Sequence, residues 1–146
     1  MNRYLGLRDP VATWISAAAL FCVYALTASR DLSLYDSAEL ALVARTLGLG
    51  HPPGQPLFTL VGFVVSQLGD PLVALNTMSA ACIALTVVPC TAIANELAPN
   101  ATRPATTVIP VAIAILGLHA ALWEPATRVE VYPIATLCAV FGAALV

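Results

Sequence analysis

The sequence predicts an all-α fold, a polytopic helical bundle embedded in a lipid bilayer. Of the 146 residues, 60% are hydrophobic and only 10% are charged, whereas soluble domains typically carry about 25% charged residues. The few charges leave long uncharged runs between them, and a membrane-spanning helix needs about 20 mostly apolar residues. The six basic residues are all Arg and form no cluster, which excludes a nucleic-acid partner bound through its phosphates.

Four mostly apolar stretches are predicted to span the membrane, at about 10–29, 71–97, 104–123 and 131–146. Arg3 and Arg8 precede the first run, as in a signal peptide, but the run is longer than the 7–15 apolar residues of such a segment, and further spans follow. We therefore expect an uncleaved first transmembrane helix. The last run reaches Val146 without a cap or a flanking charge, which is not how helices usually end. We expect residues 1–146 to form a single membrane domain, the N-terminal part of a longer one with its C-terminus truncated.

Two shorter helices, at about 36–48 and 57–69, are predicted to lie beside the membrane. In the first, apolar residues recur every three or four positions, after polar residues at the N-terminal end of the helix. The second follows the prolines of the segment 51–56, which forbid a regular helix there. The 13 residues that remain are too few for a span.

The topology of the second short helix decides how the loops are placed. If 57–69 does not cross the membrane, the loops 29–56 and 124–131 lie on the same face, which is the arrangement we expect. If it does cross, the two loops lie on opposite faces. The positive-inside rule favours a cytoplasmic N-terminus, because Arg3 and Arg8 lie there. With that orientation three Arg residues fall on each side of the membrane, so the Arg count does not decide the orientation.

The first loop concentrates candidate chemistry at Asp36, Glu39 and His51. One interpretation is a capping arrangement, in which Asp36 accepts from a backbone amide of the following helix and Glu39 reaches back. The other is a pair of carboxylates held for base catalysis or cation binding. A divalent cation is therefore one candidate cofactor. His51 begins a stiff Pro-Pro-Gly turn and is either a solvated loop residue or a ligand or phosphate contact.

The second loop places Arg128 and Glu130 between two aromatic residues, Trp123 and Tyr132. Trp and Tyr are typical of the membrane interface, and a surface pair between Arg128 and Glu130 would add little stability. Charges at the membrane boundary are costly enough, however, to favour a functional interpretation. Within the run 104–123, we expect His119 to form a hydrogen bond between helices. The four cysteines are predicted to be small packing residues.

Three motifs in these loops stand out: Tyr35-Asp36-Ser37-Ala38-Glu39-Leu40, then Gly50-His51-Pro52-Pro53-Gly54-Gln55-Pro56-Leu57, then Trp123 followed by Glu130-Val131-Tyr132. Together they resemble the membrane protein O-mannosyltransferase-like family, of the transmembrane protein 260 type. The family usually has Gly where this chain has Ala38.

The resemblance implies a GT-C type glycosyltransferase that uses a polyprenyl-phosphate sugar as donor, with Asp36 as the catalytic base or the group that orients the acceptor. We expect transfer of a mannosyl or related hexosyl group to a Ser or Thr hydroxyl of a protein or glycan acceptor on the extracytoplasmic side. The alternatives are a transporter or flippase fragment and a non-catalytic subunit. Asp36 and Glu39 are the candidate catalytic residues, and the candidate donor-binding residues are His51, Arg45, Arg128, Glu130 and Tyr132.

Overall fold

The computed structural model describes residues 6–31, 36–52 and 54–146, and in these ranges all regular secondary structure is helical. Arg3, Tyr35 and Pro53, which the sequence analysis used, lie outside the described residues. The helices are α1 (Pro10–Thr27), α2 (Ser37–Thr46), α3 (Pro56–Ser66), α4 (Pro71–Leu85), α5 (Val87–Leu97), α6 (Arg103–Gly117), α7 (Ala120–Ala126) and α8 (Tyr132–Ala144).

Proline and aspartate explain where several helices begin. Prolines occupy the first or second position of α1, α3, α4, α6 and α8, where the missing N–H costs nothing and the fixed φ favours the helix. Asp9 caps α1 by accepting from the Ala12 amide at 3.0 Å, and Asp70 caps α4 by accepting from the Val73 amide at 3.0 Å. These local signals fix the register of the first turn in both helices.

Two helical stretches, Pro10–Thr27 and Pro71–Leu97, are long and apolar enough to cross a membrane, as predicted. The predicted third span is not one straight helix, because Ala105–Gly117 and Ala120–Ala126 are bent by 72° relative to each other. The predicted fourth span corresponds to the shorter apolar helix Tyr132–Ala144. The described residues therefore hold two candidate spans, or three if the bent pair counts as one, rather than the four that we expected.

Polar contacts between helices identify one end of the bundle, which we call the far end. Asn95, near the end of α5, donates to the carbonyl of Gly6 at 3.0 Å, ahead of α1. Thr107, in the second turn of α6, donates to the Asp9 carboxylate at 2.7 Å. The start of α1, the end of α5 and the start of α6 thus lie together.

The opposite end, which we call the loop end, carries the other termini of these helices. Asn76 in α4 donates to the carbonyl of Ser29 at 2.6 Å, just after α1. The Tyr24 hydroxyl, in the last two turns of α1, donates to the carbonyl of Gly117, the last residue of α6. The chain therefore enters α4 at the end where it left α1, and the helices α2 and α3 that lie between them in sequence pack on α4.

Two apolar clusters hold this arrangement together. The first joins α1 to α4, α5 and α7 around the buried Tyr24, Ile83 and Val87. The second packs α2 and α3 on α4 around the buried Leu40, Phe58 and Leu75. The second cluster also includes Val129 from the loop after α7, so the same core that anchors α2 anchors the second loop.

Candidate active site at the loop end

The two polar loops lie side by side at the loop end. The Ser29 amide donates to the carbonyl of Thr127 at 2.8 Å. The buried hydroxyl of Ser37, the first residue of α2, donates to the carbonyl of Val129 at 2.9 Å. These contacts confirm the prediction that the regions of Asp36 and Glu130 are neighbours.

A cleft of about 470 Å³ opens between the two loops. Acidic, basic and apolar side chains share its wall, in contrast to the apolar grooves along the outside of the helices. The lining residues are Asp36, Leu40, His51, Gly54, Gln55, Arg128, Glu130, Val131 and Tyr132.

Asp36 stands at the N-cap position of α2, but its side chain makes no capping hydrogen bond. The helix begins instead with a backbone bond from the Leu40 amide to the Asp36 carbonyl at 2.8 Å. The capping interpretation is therefore wrong for this side chain, which is 61% exposed at the cleft. Negative charge is favourable at a helix N-terminus, so the position suits an ionised carboxylate that reaches a ligand.

Glu39 does not reach back to its own helix terminus as the capping interpretation predicted. One of its oxygens accepts the backbone N–H of His51 at 2.7 Å, and both oxygens lie 3.1 Å from the ring atom Nδ1 of His51. The His51 backbone N–H and then its ring hydrogen bond lower the pKa of Glu39 below its ordinary value, because they favour the ionised form.

His51 lies between the two carboxylates of the first loop. While Nδ1 faces Glu39, the other ring nitrogen, Nε2, is 3.8 Å from an Asp36 oxygen, and the side chain is 44% exposed. Gly50, just before His51, lies against the end of the Gln55 side chain, where an added Cβ would be 2.8 Å from Oε1. His51 is thus neither a solvated loop residue without contacts nor remote from the cleft.

Asp36, Glu39 and His51 are also the group of described residues that comes nearest to a metal-ligand set, with ligand atoms within 4.8 Å of one another. All three side chains are solvent-accessible, and exposed groups of this kind are common without an ion. We therefore assign no metal to them.

Arg128 and Glu130 form the predicted ion pair, with 3.2 Å between Nε and a carboxylate oxygen. Arg128 also contacts Glu124 at 2.7 Å. The pair is not the surface pair that we expected, because Glu130 is only 7% exposed. Burial raises the pKa of Glu130 and so does nearby Asp36, while Arg128 and the Val131 amide oppose the rise.

The aromatic residues of the second loop differ in their surroundings. Tyr132 starts α8, lines the cleft and is 66% exposed. Trp123 instead packs its ring against that of Tyr24, edge to face, at 5.8 Å between centroids. Trp123 thus belongs to the helix packing rather than to the cleft.

Arg45 and His119 have structural contacts that the sequence analysis did not foresee. Arg45 is not part of the cleft wall, because its guanidinium donates to the Ser66 carbonyl at 2.8 Å and to Gln67 at 2.6 Å, at the end of α3. His119 does not bridge two helices. It is exposed, and its Nδ1 accepts the Ala121 amide at 3.3 Å as the N-cap of α7.

Two residues of the site were not singled out from the sequence. Gln55 lines the cleft, and its Oε1 is buried without a hydrogen-bond partner among the described residues. Ser37 ties the loops together through Val129. Both residues lie inside the motifs quoted above, near the predicted site residues. Their membership in these motifs is the feature of the sequence that could have identified them.

Fold and site together define a helical membrane protein with a carboxylate-lined cleft at one end of its bundle. Residues 36–146 match the N-terminal domain of the protein O-mannosyl-transferase TMEM260 family. This match begins at Asp36 and covers most of the chain, and the chain therefore belongs to that family.

The relatives that match part of the chain include one from mouse and one from Dictyostelium. The chain is 51% identical over 63 residues to the mouse (Mus musculus) protein O-mannosyl-transferase TMEM260, a match that covers 43% of this chain and 8% of the mouse protein. It is 39% identical over 59 residues to the Dictyostelium discoideum protein O-mannosyl-transferase tmem260, covering 40% of this chain and 7% of that protein. The matched regions are thus less than a tenth of either relative. No solved structure matches the chain significantly.

Proposed function

We propose that this chain carries the transfer site of a membrane O-mannosyltransferase of the GT-C type. The site would move a mannosyl or related hexosyl group from a polyprenyl-phosphate sugar to a Ser or Thr hydroxyl on the extracytoplasmic side. The observation that carries the proposal is the carboxylate of Asp36, which has no capping bond and stands at a cleft built by both loops. The names of the two relatives support the O-mannosyl transfer to protein in this proposal.

Asp36 would act as the general base. The acceptor hydroxyl gives its proton to the Asp36 carboxylate while its oxygen forms the new bond to the anomeric carbon of the sugar. The bond between that carbon and the phosphate oxygen breaks, and the phosphate leaves with the electron pair. A positioned base of this kind typically contributes about 10²–10⁴-fold to a rate.

The position of the cleft at the end of a membrane bundle suits a lipid-linked donor. The polyprenyl tail stays in the bilayer beside the apolar helices, while the phosphate and sugar reach the polar cleft. Arg128 is the basic residue of the cleft wall that would face the leaving phosphate. The ion pair with the buried Glu130 would hold the Arg128 guanidinium at the cleft wall in the position to do so.

The remaining candidate residues divide by their positions. His51, Glu130 and Tyr132 line the cleft and stay in the proposal as contacts for donor or acceptor. Arg45 is left out, because its guanidinium binds the end of α3.

The test is the transfer rate of the full-length protein reconstituted with a polyprenyl-phosphate mannose and an acceptor peptide. Asp36→Asn should lower the rate about 100-fold or more, since the amide cannot take the proton. Asp70→Asn is the matched control, because Asn remains a good N-cap for α4 and Asp70 does not line the cleft. If Asp36→Asn transfers sugar as fast as Asp70→Asn, Asp36 is not the base.

A further inference from the structure

We propose that His51 is a proton relay behind Asp36 and that Glu39 is the positioning residue that holds it. This inference rests on the proposed function of Asp36. It assigns Glu39 a different task from the sequence-based hypothesis, which made both carboxylates catalytic, and it assigns His51 a different task from donor binding.

The contacts of Glu39 determine the tautomer of His51. An ionised carboxylate only accepts hydrogen bonds, and both Glu39 oxygens lie 3.1 Å from Nδ1. Nδ1 must therefore carry the proton in this contact. In the neutral ring, Nε2 then keeps its lone pair, and this atom is the one that faces Asp36 at 3.8 Å.

Glu39 also fixes the orientation of the ring. The same oxygen that accepts from Nδ1 accepts the backbone N–H of His51 at 2.7 Å, so one carboxylate holds both backbone and side chain. The turn is closed by the Gly54 amide, which donates to the His51 carbonyl at 2.9 Å. Glu39 itself sits in the first turn of α2, a helix anchored in the core by Leu40.

Glu39 is a poor candidate for the base itself. Both of its oxygens are engaged by His51, and Glu39 is not part of the cleft wall. Asp36 and His51, in contrast, both line the cleft. The chain thus separates the carboxylate that meets the substrate from the carboxylate that orients the imidazole.

The proton transfer balances without another reactant. The proton that Asp36 takes from the acceptor hydroxyl passes to Nε2 of His51, which becomes an imidazolium stabilised by Glu39, and then leaves to water from the exposed ring. A shift of less than about 1 Å would bring Nε2 and the Asp36 oxygen to hydrogen-bond distance. Asp36 is thereby returned to its ionised form for the next cycle.

The test uses the full-length protein and the transfer assay, with His51→Ala, Glu39→Ala and the double variant. His51→Ala should lower kcat about 10- to 100-fold with little change in the KM for the donor, and added imidazole should restore part of the loss. Because Glu39 acts through His51, Glu39→Ala should lower kcat similarly, and the double variant should be no slower than His51→Ala alone. His119→Ala, an exposed histidine outside the cleft, is the matched control.

The opposing outcomes are distinct. A raised donor KM with unchanged kcat would make His51 a phosphate contact, and multiplied losses in the double variant would mean that Glu39 acts independently. Rescue of His51→Ala by Mn²⁺ rather than imidazole would make the cluster a metal site. Each of these overturns the relay. His51→Gln and a thermal unfolding curve of each variant separate a lost relay from a misfolded loop. Failure of the proposed function is seen separately, as normal transfer by Asp36→Asn.

Discussion

Asp9 and Asp36 occupy the same kind of position at opposite ends of the bundle, yet only one of them caps its helix. Asp9 precedes α1, and its carboxylate accepts both the Ala12 amide and the Thr107 hydroxyl. Asp36 precedes α2, and its carboxylate makes no capping bond. The comparison teaches that an N-cap position by itself does not give a role to an aspartate. The role of the aspartate depends on whether its carboxylate oxygens already accept hydrogen bonds from nearby amides and hydroxyls.

The same difference holds for the two ends as a whole. At the far end, the polar contacts join helix termini, as Asn95 binds the Gly6 carbonyl and Arg8 binds the Ala98 carbonyl at 3.2 Å. At the loop end, Ser37 also binds backbone, but other polar side chains pair with one another around a cleft, as in the contacts of His51 with Glu39 and of Arg128 with Glu130. The far end therefore contributes contacts that hold the helices together, whereas we propose that the loop end provides the chemistry.

The largest expected effect beyond Asp36 and His51 concerns Glu130. Glu130→Ala should slow transfer about tenfold or more, because Arg128 loses the buried partner that positions it beside the cleft. Glu96→Ala, which removes an exposed acid at the end of α5, should leave the rate unchanged. Equal transfer rates for Glu130→Ala and Glu96→Ala would contradict the proposal that the loop end, and not the far end, takes part in the reaction.

The hydroxyl of Ser37 gives the next largest effect, on stability. Ser37→Ala leaves the carbonyl of Val129 without its donor in a buried position, which should cost about 1–3 kcal/mol of unfolding free energy. Thr107→Val removes an exposed hydroxyl at the far end and should cost less, about 0.5 kcal/mol. Denaturant or thermal unfolding in a mild detergent gives both values, and the reverse order would contradict the buried bridge between the loops.

A smaller effect on stability separates the two N-cap aspartates directly. Asp9→Ala should lower the unfolding free energy by about 1 kcal/mol, as is typical for a lost N-cap, and should leave transfer unchanged. Asp36→Ala should abolish transfer and cost less stability, because it removes no capping bond. A larger stability loss for Asp36→Ala than for Asp9→Ala would mean that Asp36 caps α2 after all.

The smallest effect is a pH dependence of opposite sign for the two glutamates of the loop end. The pKa of Glu39 is lowered in the fold from its ordinary 4.5, so its stabilising contribution is present above that value and is lost as the pH falls below it. The pKa of Glu130 is raised from 4.5, so its contribution is present below that value and is lost as the pH rises through the raised pKa. Unfolding should be measured across pH 3–7, about the range of carboxyl titration. Relative to the unchanged protein, Glu39→Gln should become less stable as the pH rises, and Glu130→Gln should become more stable.

Much of the fold follows from the positions of charges and prolines. The uncharged runs give the stretches Pro10–Thr27 and Pro71–Leu97, and the few helix-compatible residues of 57–69 correctly predict that both loops lie at one end. The bend after α6 could not be predicted in this way. The bend depends on His119, which caps a new helix within a run that contains no charged residue. A prediction based on uncharged segments does not detect such a cap.

The site is less predictable, because its key contacts join residues that are distant in sequence. The ion pair of Arg128 with Glu130 could be predicted from their spacing. The contact between Glu39 and His51, in contrast, depends on how the turn after α2 folds back, and residue types do not specify that geometry. The binding of Arg45 to the end of α3 likewise depends on how α2 and α3 pack. The charge of Arg45 suggested a phosphate contact, but the structure places this side chain away from the cleft.

The central claim is that the regions of Asp36 and Tyr132 face each other across one cleft. The most direct measurement is crosslinking by a short bifunctional thiol reagent in membranes, in a full-length protein whose native cysteines are replaced. Asp36→Cys with Tyr132→Cys should crosslink efficiently, whereas Asp36→Cys with Thr107→Cys, at the far end, should not. Crosslinking of the second pair without the first would contradict the account.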